Sequence, residues 1–167
     1  MSASALNRRA AIRAAAALAM SPAIALAQPA IRFRSVEVNV APLRATTGDP
    51  TADWVAEALP GLLAQALGPY LSPGDRAGAT LIAEIDYLYL GPTSGGPGPG
   101  GASQDTIAGL LIVRGARGPI ARQLPLRAIT SYYPNASDIP QMVQTNHYRV
   151  IALAQAFAGW VPRELGL

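Results

Sequence analysis

The sequence predicts a two-layer α+β sandwich: a four-stranded mixed sheet with two helices on one face, in the order β-α-β-β-β-α. Two segments carry apolar residues at helical spacing. Four others show strand alternation or short apolar runs, and Gly/Pro-rich turns separate all six. No internal repeat or composition break divides residues 28–167, so they read as one domain of about 140 residues, enough for a single core.

Residues 1–27 precede the first element and read as a signal peptide. Arg8, Arg9 and Arg13 lead into an alanine-rich apolar run, and Ala25-Leu26-Ala27 offers a small-x-small cleavage site. The Arg8-Arg9 pair makes the leader similar to a twin-arginine export signal. The apolar run is too short and interrupted to span a bilayer core of about 30 Å.

The first strand is expected over 31–40, where Val36, Val38 and Val40 alternate with Glu37 and Asn39. Asp49-Pro50 or Thr51 then opens a helix with Val55, Leu59, Leu62, Leu63 and Leu67 on one stripe, a kink at Pro60, and Gly68-Pro69 at its end. The second strand covers 79–90. Strict alternation gives it one face with Leu81, Ala83, Ile85, Tyr87 and Tyr89, and another with Ile82, Glu84, Asp86, Leu88 and Leu90. A flexible loop is expected over 91–105, with six glycines and three prolines. It lacks the Lys-Ser/Thr of a phosphate loop.

The third strand, 106–114, is apolar on both faces. The fourth, 121–130, contains Pro125, which cannot donate to a ladder and so marks an edge. Asp138 and Pro140 open the last helix, whose stripe is Val143, His147, Val150, Ile151, Ala154, Phe157, Ala158 and Val161. Arg149 and Arg163 fall on its solvent side. A helical crossover makes the first two strands parallel, and hairpins make the rest antiparallel.

Charge narrows the functional classes. The chain has 13 arginines, no lysine and ten carboxylates; three arginines belong to the leader, so the remainder is neutral. Nucleic-acid binding needs a surplus basic patch and is not expected. With no cysteine, disulfides, thiol nucleophiles, iron–sulfur sites and a lipoprotein acyl anchor are all excluded from expectation. No metal or other cofactor is expected either, since one histidine stands without carboxylate neighbours in sequence.

Three groups of residues remain as candidates. On the uncovered face, alternation places Phe33, Ile82, Leu88, Leu90 and Ile129 among Ser35, Glu37, Asn39 and Arg127, a mixed surface suited to a partner protein or a second copy. Tyr132, Tyr133 and Asn135 before the last helix either line a small-ligand pocket or pack over the sheet edge. Glu84 and Asp86 either act as paired acid and base, with His147, in a small hydrolase, or ligate a hard cation, or form a salt-bridged surface with Arg127 or Arg34. His147 reads as a partly buried structural histidine, and Trp54 and Trp160 as packing residues.

The segment Val36-Glu-Val-Asn-Val40-Ala-Pro-Leu, the Trp54–Leu67 helix and Ala154-Gln-Ala-Phe157 stand in an order that resembles small periplasmic α/β modules of the Gram-negative envelope. These are the lipopolysaccharide-assembly lipoprotein and the auxiliary lipoproteins of ABC transporters. That resemblance implies a periplasmic, non-catalytic assembly or transport module. Those families are lipidated on a cysteine, which this chain lacks.

Overall fold

The computed structural model describes residues 31–92, 103–116, 118–133 and 141–167. Asn135, Asp138, Pro140 and most of the glycine-rich segment lie outside the described residues. The elements are β1 (Phe33–Asn39), α1 (Ala41–Thr47), α2 (Thr51–Ala66), β2 (Ala79–Tyr89), β3 (Ser103–Arg114), β4 (Ile120–Tyr132) and α3 (Met142–Leu165). The sheet runs β1-β2-β3-β4, with β1 and β2 parallel and the other pairs antiparallel. This is the predicted mixed sheet, with β4 and its Pro125 at one edge. Part of the opposite edge is taken by a bridge from Phe33 to Leu71.

All three helices lie on one face. Helix α1 packs on β2, α2 on β1 and α3, and α3 on β3 and β4. The core between the layers holds Leu43 from α1, Leu59 and Leu63 from α2, Leu81 and Ile85 from β2, Ile107 and Leu111 from β3, and Leu153 and Phe157 from α3. Each is fully buried and contributes about 2 kcal/mol of transfer free energy. Ile82 and Ile112, paired across β2 and β3, are buried but lie outside this cluster, on the uncovered face.

Helix α1 was not expected. It has seven residues and no repeating stripe; Pro42 in the first turn presets its backbone and Leu43 alone anchors it. Helix α2 continues through exposed Pro60. Helix α3 likewise continues through Pro162 and ends at Gly166, whose φ of 77° is left-handed. Gly166 N–H donates to Arg163 C=O and Leu167 N–H to Pro162 C=O, the paired bonds of a Schellman ending. Strand β3 starts at Ser103, so residues 103–105 belong to the sheet and the expected loop is shorter by three residues.

Two register shifts correct the predicted faces. One lies between Phe33 and Ser35 in β1, the other between Ile85 and Tyr87 in β2. An inserted residue reverses the facing of everything beyond it. Phe33 therefore points into the core, as does Leu88, and Leu90 packs against it. Tyr87 and Tyr89 take the uncovered face instead, both about half exposed. The shift in β2 is accommodated by Gly109, which pairs with Ile85; a Cβ there would lie 2.1 Å from the Glu84 carbonyl oxygen. Only glycine admits so close an approach of two strands.

Candidate functional site

The uncovered face of the sheet is built row by row from the strand register. Tyr89, Thr106 and Ile129 are neighbours across β2, β3 and β4; Tyr87, Ala108 and Arg127 form the next row. Ile129 is 55% exposed and Tyr87 and Tyr89 are 48% exposed, well beyond the burial that packing inside the domain would give. Asp86, the inserted residue of the β2 bulge, is exposed beside Tyr87. Between β2 and β4 lies a shallow depression of about 570 Å³, floored by Ala108, Gly109 and Leu110 and walled by Asp86, Tyr87, Pro125 and Arg127.

The β1 side of the same face is polar and internally satisfied. Asn39 Nδ2 donates to Glu84 Oε2 at 2.8 Å, Ser35 and Thr80 hydroxyls share a 3.0 Å hydrogen bond, and Arg34 Nε donates to Thr80 Oγ1 at 3.1 Å. Of the five apolar residues expected to face a partner, Ile129 is exposed there and Ile82 lies there nearly covered, while Phe33, Leu88 and Leu90 belong to the interior. Tyr87 and Tyr89 were missed because strict alternation assigned them inward.

On the helix side, β3 and α3 are joined by a buried polar centre. The Arg149 side chain is 5% exposed and that of Asp105 1%. Arg149 Nε donates to Asp105 Oδ2 at 2.9 Å and Nη2 to Oδ1 at 2.5 Å. Nη2 also donates to Gly91 C=O at 2.7 Å and Ser103 Oγ at 3.1 Å, and Nη1 to Asn146 Oδ1 at 3.3 Å. Asp105 Oδ1 accepts the Gly91 N–H at 3.0 Å, and the Tyr132 ring lies under the guanidinium at 4.6 Å. The expectation that Arg149 faces solvent is thus overturned: a charge can be buried here because its partner and hydrogen bonds are supplied in full. Arg163 is exposed as expected and sits over the Trp160 ring.

Beside this centre is a cavity of about 300 Å³ lined by Asp105, Thr130, Tyr132, Thr145, Tyr148, Arg149 and Ala152. Tyr132 lines it, whereas Tyr133 is 62% exposed. Asn135, the third member of the expected cluster, lies outside the described residues.

The proposed acid–base set is not assembled. His147 lies on α3, its ring 5.0 Å from that of Trp54 on α2. Glu84, held by Asn39, and Asp86 lie on the far side of the sheet. Among the described residues there is no group of three His, Asp or Glu placed to hold a metal. At the α1–α2 junction, hydrogen bonds to Asp49 and then Asp53 raise the pKa of Arg44. That shift has no bearing on either cavity. No described helix is long and apolar enough to cross a membrane.

No family model matches the chain, and no curated protein matches it. Among solved structures it is similar to a "putative lipoprotein" from Caulobacter crescentus CB15. That match has 14% identity and a TM-score of 0.51, and covers 79% of this chain and 88% of that one. The likeness is one of fold. A minor lipoprotein from Acinetobacter baumannii matches at 12% identity and a TM-score of 0.42, over 80% of this chain and 93% of that one.

Proposed function

We propose that this chain is an exported, non-catalytic module of the Gram-negative periplasm that docks a protein partner through the uncovered face of its sheet. One observation carries the reading: Tyr87, Tyr89 and Ile129 stand exposed in adjacent rows, with Tyr87 walling a shallow depression. Aromatic side chains bring large contact area to a docking surface and are enriched in interfaces. The rim is polar, with Asp86 and Arg127 close by, which is the usual anatomy of a docking patch. The leader-like residues 1–27 and the fold shared with the "putative lipoprotein" from Caulobacter crescentus CB15 support the address.

Site-specific photocrosslinking in the producing cell tests this. A photoreactive phenylalanine analogue replaces Tyr89, Ile129 or, as a control beyond the helix layer, Trp160. Discrete protein adducts are expected from the first two positions and not from the third. Equal adducts from all three, or none from the sheet face, would overturn the reading.

A further inference from the structure

We infer that the uncovered face pairs with the same face of a second copy of this chain, in a two-fold dimer centred on β3. The inference rests on the docking reading above and names the partner. A two-fold axis running along β3, between two stacked sheets, exchanges β2 of one copy with β4 of the other at constant height along the strands. Such an isologous contact requires the surface to be complementary to itself.

The register supplies that complementarity. Tyr89 and Ile129 flank Thr106 in one row, so the axis sets Tyr89 of each copy against Ile129 of the other. Tyr87 and Arg127 flank Ala108 in the next row, with Asp86 at the β2 bulge. The same axis therefore brings the Asp86 carboxylate and Tyr87 ring of each copy to the Arg127 guanidinium of the other. Opposite charges on the two flanks of β3 make the symmetric arrangement attractive; like charges there would repel twice over. Arg127 also gains an aromatic face. The small residues Ala108 and Gly109 floor a depression that Tyr87 and Arg127 wall, so the axis brings the depressions of the two copies together.

Size and surroundings agree. Strands β2–β4 have 11–13 residues. At about 3.3 Å per residue and about 4.8 Å between strands they project roughly 500 Å², which side-chain relief raises toward the ~800 Å² per partner of a standard interface. Face-to-face sheets keep their strands within about 30° of each other, as an axis along β3 does. The hydrogen-bonded β1 residues Ser35 and Asn39 then fall at the rim. Edge-to-edge growth is the weaker alternative. Pro125 offers no N–H to a strand added beside β4, and the Phe33–Leu71 bridge takes part of the β1 edge.

Sedimentation equilibrium of the protein purified after export, over a wide concentration series, tests the dimer. A monomer–dimer equilibrium is expected. Asp86→Arg and Arg127→Asp should each weaken it by roughly tenfold or more, because each creates two like-charged contacts. An equimolar mixture of the two variants should dimerise again, since the introduced arginine then meets the introduced aspartate and native Arg127 meets native Asp86. Should Asp86→Arg fail to fold, Ile129→Asp beside Arg127→Asp carries the test, and each must release the monomer. A wild-type chain that stays monomeric, a dimer indifferent to these changes, or a mixture that does not recover would overturn the inference. Monomeric protein that still crosslinks from Tyr89 and Ile129 to a different envelope protein overturns the dimer and retains the docking reading. A monomer without such adducts sinks both.

Discussion

Replacing Arg149 with methionine removes a cation from a site that is closed to water. The Asp105 carboxylate, 1% exposed, would keep the Gly91 N–H as a donor and lose both bonds to the guanidinium. Breaking a buried pair in this way costs about 3–5 kcal/mol, because the remaining charge is neither hydrated nor neutralised. Asp105→Asn produces the mirror case. It leaves the guanidinium buried, keeps an oxygen for Gly91, and should cost about 3 kcal/mol. The double variant removes both charges. Its penalty is that of the Gly91 carbonyl and Ser103 hydroxyl left without the Nη2 donor, about 1–3 kcal/mol. Independent effects would add to about 7 kcal/mol, so a coupling near 5 kcal/mol is expected from the cycle. These values are large against a domain stability of about 5–15 kcal/mol, and urea unfolding resolves them as midpoint shifts at constant slope. A double variant as unstable as the sum of the two singles would refute the account. So would an Arg149→Met midpoint within error of wild type.

Gly109→Ala places a methyl group against the Glu84 carbonyl. It should cost about 3 kcal/mol or prevent folding, read from urea midpoints; a neutral outcome would mean that β2 does not bulge there. Leu88→Ala should cost about 2–4 kcal/mol as a core truncation, and Tyr89→Ala less than about 1 kcal/mol as a surface change. The reverse order would restore strict alternation along β2.

Apart from the short α1, element types and order were legible because each rests on a local pattern. The valine alternation of β1, the leucine stripe of α2 and the Val150–Val161 stripe of α3 each specify a covered side without reference to the rest of the chain. Pro125 gave the edge for the same reason: a missing N–H is a property of the residue itself. What failed depended on one strand's fit to another. The bulge in β2 exists because Glu84 and Ile85 approach Gly109 in β3, and nothing within residues 79–90 announces it. The one available signal was a glycine in the middle of an otherwise apolar strand, which suggests a bulge or a close backbone approach. Missing it exchanged Leu88 for Tyr87 and Tyr89 and so redrew the candidate face. Arg149 was misplaced because an arginine on a helix defaults to solvent. Its true position shows only when it is aligned with Thr145 and Leu153 one turn either way and matched to Asp105, the single acid on the inward row of β3. Asn135 lies outside the described residues, and His147, on α3, is separated from the carboxylates by the sheet.

The arginine centre has a consequence for how this chain can vary. A single nitrogen, Arg149 Nη2, holds both the Gly91 carbonyl and the Ser103 hydroxyl. The departure point and the return point of the intervening chain are therefore pinned at a fixed separation by α3, whatever number of residues lies between them. Peptide tags, reporters or natural insertions placed between these two anchors should leave the packing of the domain intact, which makes this the natural place to lengthen the protein without redesigning it.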